Sequence, residues 1–252
     1  MGTVEKKIIG VIPARKGATR FPNKPLALIQ GKPMIQWVIE GSLKSKSLSE
    51  IYVATDDQEI FRVSEKAGAK VVMTSSDLTS GTDRIFQATK NLSYDVAINI
   101  QGDEPLIQAS DIDALAQIYL QGDSPEMATL AHAISLEDLQ SKNAVKVIVN
   151  VAGDAIYFSR FPIPYSRHDA KSISGEAACL KHVGLYAYTK KFLKSFCEAE
   201  PALIEKAEGL EQLRALHLGA RIRVLRIENQ TWGIDTPEDL VRLEEWLVRK
   251  KS

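Results

Sequence analysis

Residues 8–26 read IIGVIPARKGATRFPNKPL. Ile8, Ile9, Val11 and Ile12 are apolar and β-branched, which predicts a strand buried on both faces. Arg15, Lys16, Arg20 and Lys24 crowd in directly behind it, and Lys32 follows. A core strand that runs straight into clustered cations predicts a binding loop at its carboxyl end.

Outward from this strand, short β-branched runs alternate with segments of helical period. KPMIQWVIEGSLKS predicts a helix with Met34, Trp37, Val38 and Leu43 inward. IYVATDD is a second strand, with Asp57 placed to cap the helix QEIFRVSEKAG, which Gly68 closes. KVVMTS and the helix GTDRIFQATKN follow, then the strand DVAINIQGDEP and the helix SDIDALAQIYLQG. Strict alternation predicts βαβ units around a parallel sheet. Their right-handed crossovers gather the strand carboxyl ends on one edge, where ligands bind. The polar tails PARKGATR, ATDD and QGDEP all fall on that edge.

Beyond about residue 125 the pattern changes. MATLAHAI, AVKVIVNVAGDAIYFSR and HVGLYAYT read as strands with no long helix between them, and Gly153-Asp154 marks a hairpin turn. EKAEGLEQLRALHLG predicts one helix and RIRVLRIEN a strand. TPEDLVRLEEWLVRKK predicts a closing helix capped by Thr236, with Pro237 in its first position and Glu238 and Asp239 in the first turn. The organisation expected is one domain over 1–252 carrying an insert at roughly 125–200.

The bulk composition narrows the function. Lys plus Arg and Asp plus Glu each number 32, so no global basic field points to nucleic acid or to a membrane surface. Two cysteines, Cys179 and Cys197, are too few for a disulfide framework or a cysteine-built metal site. The apolar run before Arg15 is shorter than a signal core or a membrane span, which leads to the expectation of a cytoplasmic protein. The first strand and loop lack both G-x-G-x-x-G and G-x-x-x-x-G-K-[ST], which argues against a dinucleotide fold and a Walker ATPase. Gly17, Thr19, Arg15, Arg20 and Lys24 still provide donors for phosphate oxygens. On charge alone, a solvated loop paired with carboxylates fits as well.

IPARKGATRFPNKPL, VATDD, MTSSDLTSGTDR, NIQGDEPLI, KHVGLYAY, LEQLRAL and GIDTPEDL, in this order and over nearly the whole chain, resemble the 3-deoxy-manno-octulosonate (Kdo) cytidylyltransferases, or CMP-Kdo synthetases. Sialic-acid-activating relatives share the front loop but are less similar at SGTDR, KHVGLYAY and LEQLR. The resemblance implies an α/β fold with a doubly wound, mostly parallel nucleotidyltransferase sheet and a smaller mixed-strand insert for dimerisation and sugar binding. It implies a homodimer that uses CTP and Mg2+ to convert Kdo to CMP-Kdo and pyrophosphate for lipopolysaccharide biosynthesis. Lys16, Asn23 and Trp232 depart from the family pattern: Asn23 stands where Gly is frequent, and Trp232 where a small residue is.

Carried over residue by residue, the resemblance assigns catalysis to Lys24, Arg15, Asp103 and Asp235. Arg15, Thr19, Arg20 and Lys24 clamp the triphosphate, with Lys24 at the α-phosphate, and Asp103 and Asp235 hold Mg2+. Ser80, Gly81 and Thr82 read cytosine, while Arg84 supports that loop. Gln101 serves the ribose or the sugar, and His182, Tyr186, Glu211 and Gln212 border the Kdo pocket. Without the resemblance, Asp103 reads as a turn residue, Asp235 as a helix start, Ser80 as a cap and His182 as a structural histidine. An amino-Kdo or another acidic nonulosonate is the alternative substrate. A nucleotide-sugar-dependent glycosyltransferase is the alternative class, and the D-x-D pair it would carry is missing from QGDEP.

Overall fold

The run Ile8–Ala14 forms strand β1, buried along nearly its whole length because its side chains leave nothing to hydrate. The computed structural model describes residues 6–17, 21–78, 80–165, 167, 175–229 and 232–251. After β1 come a 3-10 turn at Lys24–Leu26 and a tight hairpin of β2 (Leu28–Ile29) and β3 (Lys32–Pro33). Then follow α1 (Met34–Ser42), β4 (Glu50–Thr55), α2 (Gln58–Lys66), β5 (Lys70–Met73), α3 (Gly81–Thr89), β6 (Val96–Asn99) and α4 (Ala109–Leu120). Next are β7 (Met127–Ile134), α5 (Leu136–Gln140), β8 (Lys146–Val149), β9 (Ala155–Ser159), β10 (Gly175–Thr189) and α6 (Lys190–Glu198). The chain ends with α7 (Leu203–Glu208), α8 (Gln212–His217), β11 (Ile222–Arg226) and α9 (Pro237–Lys251).

The chain groups into two compact units, Met1–Asp113 with Thr231–Ser252, and Ala114–Gln230. In the first, β1 pairs in parallel with β4 on one side and β6 on the other, and β4 pairs in parallel with β5. The spatial order β5-β4-β1-β6 therefore reverses direction at β1, which makes the space beyond the carboxyl ends of β1 and β6 a topological switch point. In the second unit, β7 lies between parallel β11 and antiparallel β10, and β10, β8 and β9 continue antiparallel. The α/β class with a mostly parallel sheet and a smaller mixed-strand part is as expected.

Three details differ from the sequence reading. Leu43 is 48% exposed, because α1 ends at Ser42 and its buried stripe is Met34, Ile35, Val38 and Ile39. The single helix expected across 205–219 is two, broken at Gly209 with φ +62°. That left-handed value is one that glycine adopts at no steric cost. The helix α6, absent from the sequence reading, is capped by Thr189 Oγ1 and buries Phe192, Leu193 and Phe196.

Candidate active site

A cavity of about 390 Å³ opens at the switch point of the first unit. Its wall includes Arg15 from the end of β1, Phe21 and Lys24 from the loop, Ser80, Gly81 and Arg84 from the start of α3, Gln101, Gly102 and Asp103 after β6, and Asp235 before α9. Positions far apart in sequence are thus gathered beyond one edge of the sheet.

Lys24 is aimed by local backbone chemistry. Asn23 stands at φ +57°, a left-handed conformation that asparagine tolerates better than most residues. Pro25 then fixes the first step of the 3-10 turn. The Lys24 ammonium donates to Asp103 Oδ2 at 2.6 Å, to the Ile234 carbonyl at 2.9 Å and to Asp235 Oδ1 at 3.5 Å. Lys16 pairs instead with Asp57 at 3.0 Å, and Lys32 with Glu40 at 2.5 Å beneath the Trp37 ring. Thr19 and Arg20 lie outside the described residues.

Asp103 follows Gly102, whose position tolerates no side chain: a Cβ there would stand 2.9 Å from the Pro13 carbonyl oxygen. The close approach joins two strand ends. Gly102→Ala should cost about 1–3 kcal/mol of stability through this overlap. A thermal melt should record a fall on the order of 5 °C, and an unchanged melt would show that the backbone yields freely. Next to Asp103, Glu104 is buried, and its Oε2 has no hydrogen-bond partner among the described residues. Burial, then the charges of Asp103 and Asp111, push its pKa up to about 8, so it carries a proton at neutral pH and adds no full charge beside Asp103.

Asp235 does not cap α9. Thr236 Oγ1 accepts from Asp239 N–H at 3.3 Å, while the Asp239 carboxylate accepts from the backbone of Asp235 and Thr236 at 3.0 and 2.9 Å. This reciprocal box does the capping, and the Asp235 carboxylate turns to the cavity. Among the described residues no three or more His, Cys, Asp or Glu groups converge as a metal cage. The cavity offers two carboxylates converging on one ammonium, a point already selected for positive charge. Such a donor set fits Mg2+, which completes its shell with water and phosphate oxygens.

Ser80 caps α3: its Oγ accepts from Asp83 N–H at 3.0 Å and donates to Asp83 Oδ2 at 2.9 Å. A hydroxyl has one donor and two acceptor sites, so one acceptor remains for a ligand. Thr82 is only 3% exposed and is not part of the cavity wall. Arg84 is buried, donates to Asp56 Oδ2 at 3.0 Å and to Thr74 Oγ1 at 2.5 Å, and ties the loop before α3 to β4. Phe21 and the Ile234 carbonyl had no sequence signal; the second is a backbone atom that any residue could supply.

The remaining expected residues lie in the second unit. The rings of His182 and Tyr186 are 5.3 Å apart on β10, and Phe158 meets the imidazole edge-on at 5.1 Å. Thr129 Oγ1 lies 2.9 Å from His182 Nε2 and 3.0 and 2.9 Å from the carbonyls of Val183 and Leu185. The hydroxyl hydrogen goes to those carbonyls, so Nε2–H donates to Thr129 and Nδ1 is left an acceptor. Desolvation pushes the His182 pKa down to about 3, so the ring stays neutral. The unfolded ring binds protons more readily than the folded one. Stability from this group is therefore complete above pH 6.5 and lost as pH falls from there toward 3. His182→Gln should flatten the loss of melting temperature just below pH 6.5; a variant that tracks the parent across that range refutes it.

Glu211 and Gln212 open α8, and Gln212 is buried. The short α8 is fastened to α7 by Arg214, whose Nε and Nη2 grip Glu205 at 2.8 and 2.5 Å while its guanidinium lies 4.5 Å over Phe196. Glu208 accepts from Ser159 Oγ at 2.6 Å and Arg160 N–H at 2.9 Å. The Arg160 side chain donates to the carbonyls of Glu208, Lys142 and Gly209.

Residues 9–222 match the cytidylyltransferase family. The chain is 58% identical over 241 residues to the 3-deoxy-manno-octulosonate cytidylyltransferase of Bdellovibrio bacteriovorus, covering 96% of this chain and 98% of that protein. It is 41% identical over 244 residues to the Escherichia coli protein of the same name, covering 97% of each. A solved CMP:2-keto-3-deoxy-manno-octonic acid synthetase complexed with CTP superposes with a TM-score of 0.90 at 41% identity, covering 97% of this chain and 99% of that one. A cytidylyltransferase from Leptospira borgpetersenii, 17% identical, shares the fold with a TM-score of 0.65, covering 97% of this chain and 87% of that one. With the gathered cavity residues and the order of the motifs, these matches show that the chain belongs to the 3-deoxy-manno-octulosonate cytidylyltransferase family.

Proposed function

We propose that the protein transfers CMP from CTP to the anomeric hydroxyl of Kdo, giving CMP-Kdo and pyrophosphate. The observation that carries this reading is Lys24, held between Asp103 and Asp235 at the switch point of a cytidylyltransferase fold. In the reaction the sugar oxygen forms a bond to the α-phosphorus, the bond from that phosphorus to the bridging oxygen breaks, pyrophosphate leaves with that oxygen, and the hydroxyl proton passes to solvent water. Both reactants are anions, so the protein's task is to neutralise charge and hold the groups in line. Arg15 and Lys24, with Thr19 and Arg20, take the triphosphate, and Lys24 faces the charge that builds at the α-phosphate. Asp103 and Asp235 would hold Mg2+, which when bound lowers the repulsion between triphosphate and sugar.

Ser80 has one acceptor left, which suits the exocyclic amine of cytosine and opposes the carbonyl that uracil carries there. Gly81 lies beside it, Thr82 supports the pair from behind, and Gln101 serves ribose or sugar. For the sugar, neutral His182 accepts from a hydroxyl through Nδ1, with Tyr186, Glu211 and Gln212 as further polar partners. We propose a cytoplasmic homodimer that supplies lipopolysaccharide synthesis; among the described residues no helix is long and apolar enough to cross a membrane.

The test is pyrophosphate release from CTP, UTP and ATP against Kdo, amino-Kdo and a sialic acid. CTP should exceed UTP by about 100-fold or more, because a mismatched base leaves a buried polar group unpaired. Equal release from CTP and UTP would overturn the role of Ser80, and release with sialic acid alone would overturn the sugar.

A further inference from the structure

Trp232 has a defined place in the structure. Its ring lies 5.3 Å from that of Trp246 on α9, against a cluster of Ile29, Met34, Ile234, Leu243 and Leu247. Lys250 Nζ lies 4.8 Å over the Trp246 ring. Phe21, which lines the cavity, packs on the same cluster.

The segment from Trp232 to Thr236 is held from two sides. On one side Ile234 N–H donates to the Asp103 carbonyl at 2.9 Å, and the Ile234 carbonyl accepts from Lys24 Nζ at 2.9 Å. On the other side, the N–H groups of Asp235 and Thr236 donate to Asp239 on α9. The backbone atoms that anchor Lys24 and carry the Asp235 carboxylate are therefore seated on α9, and the ring pair packs beside that seat.

We infer that Trp246 is a positioning residue for Lys24 and Asp235, acting through its contact with Trp232. The inference rests on the proposed role of Asp235 in holding Mg2+. Packed rings have few low-energy arrangements, so the pair fixes one separation between α9 and the segment that carries Asp235.

The experiment uses the full chain and three variants, Trp246→Ala, Trp246→Leu and Trp246→Phe. Two quantities are read: the Mg2+ concentration for half-maximal activity, and the rise in melting temperature that Mg2+ adds with CTP present and no sugar. Alanine and leucine should each raise the Mg2+ requirement about tenfold, as loss of a supporting contact behind metal ligands does. Both should also lose most of the Mg2+-dependent rise. Phenylalanine, which keeps a ring against Trp232, should stay within about twofold of the parent. The leucine variant keeps apolar volume without a ring, so it decides the matter if the alanine variant does not fold. A lower melting temperature with both Mg2+ readouts unmoved would mean plain packing and would overturn the inference. Asp235→Asn is run in parallel. An unmoved Mg2+ requirement there overturns the metal reading and this inference with it, whereas a shift there but not in the tryptophan variants overturns the inference alone.

Discussion

Lys24→Ala is expected to lower turnover at saturating CTP by about 100- to 1000-fold, the cost of removing one donor aimed at transition-state charge. CTP affinity should fall by less than about tenfold, because in the proposed assignment Arg15 and Arg20 would still meet the phosphates and uniform binding is spread over several donors. The structure sharpens the expectation. The ammonium is not a loose surface charge: Asn23 and Pro25 fix its backbone, and three oxygens hold its tip. A group so pre-positioned would contribute to the proposed reaction without reorganising. Steady-state kinetics together with calorimetric CTP binding make the measurement. A collapse in affinity with turnover intact would reduce Lys24 to a binding residue.

Asp103→Asn and Asp235→Asn should each fold, lose about 99% of activity and need about tenfold more Mg2+ for what remains. Asparagine keeps the size and much of the hydrogen bonding of aspartate but not its charge, so packing is left alone. For Asp235 the structural alternative is already narrowed, because Thr236 and Asp239 perform the capping that a helix-start carboxylate would otherwise do. Activity is measured against Mg2+ for both variants. A fully active Asp235→Asn with an unchanged curve would remove the metal role from that residue.

How far the sequence could be read depended on which atoms carry each feature. The β1 run was legible because burial selects β-branched residues, and the cations behind it because side-chain charge is written in the sequence, although Lys16 and Lys32 are paired with Asp57 and Glu40. Asp57 and Thr236 announced themselves as caps by composition, and both cap. The Ile234 carbonyl could not be read, since a backbone acceptor leaves no mark on the side chain. Gly209 was hidden within a run of good helix formers, where one glycine is as easily tolerated as decisive. The amphipathic α6 was there to be read: Thr189 precedes Phe192, Leu193 and Phe196 at helical spacing. The need for glycine at Gly102 could not be read, since no local pattern shows that its backbone meets the Pro13 carbonyl of a strand far away in sequence.

The break at Gly209 has a consequence for motion. Each helix beside it has six residues, well below the length at which an isolated helix persists in water. What keeps them formed is the grip of Arg214 on Glu205 across the break, sealed by Phe196. Neither helix can fray without exposing that pair, so the two should open as one cooperative unit. Their amide hydrogens would then exchange with solvent deuterium at a common free energy of opening, and Glu205→Gln would lower that energy for both helices together.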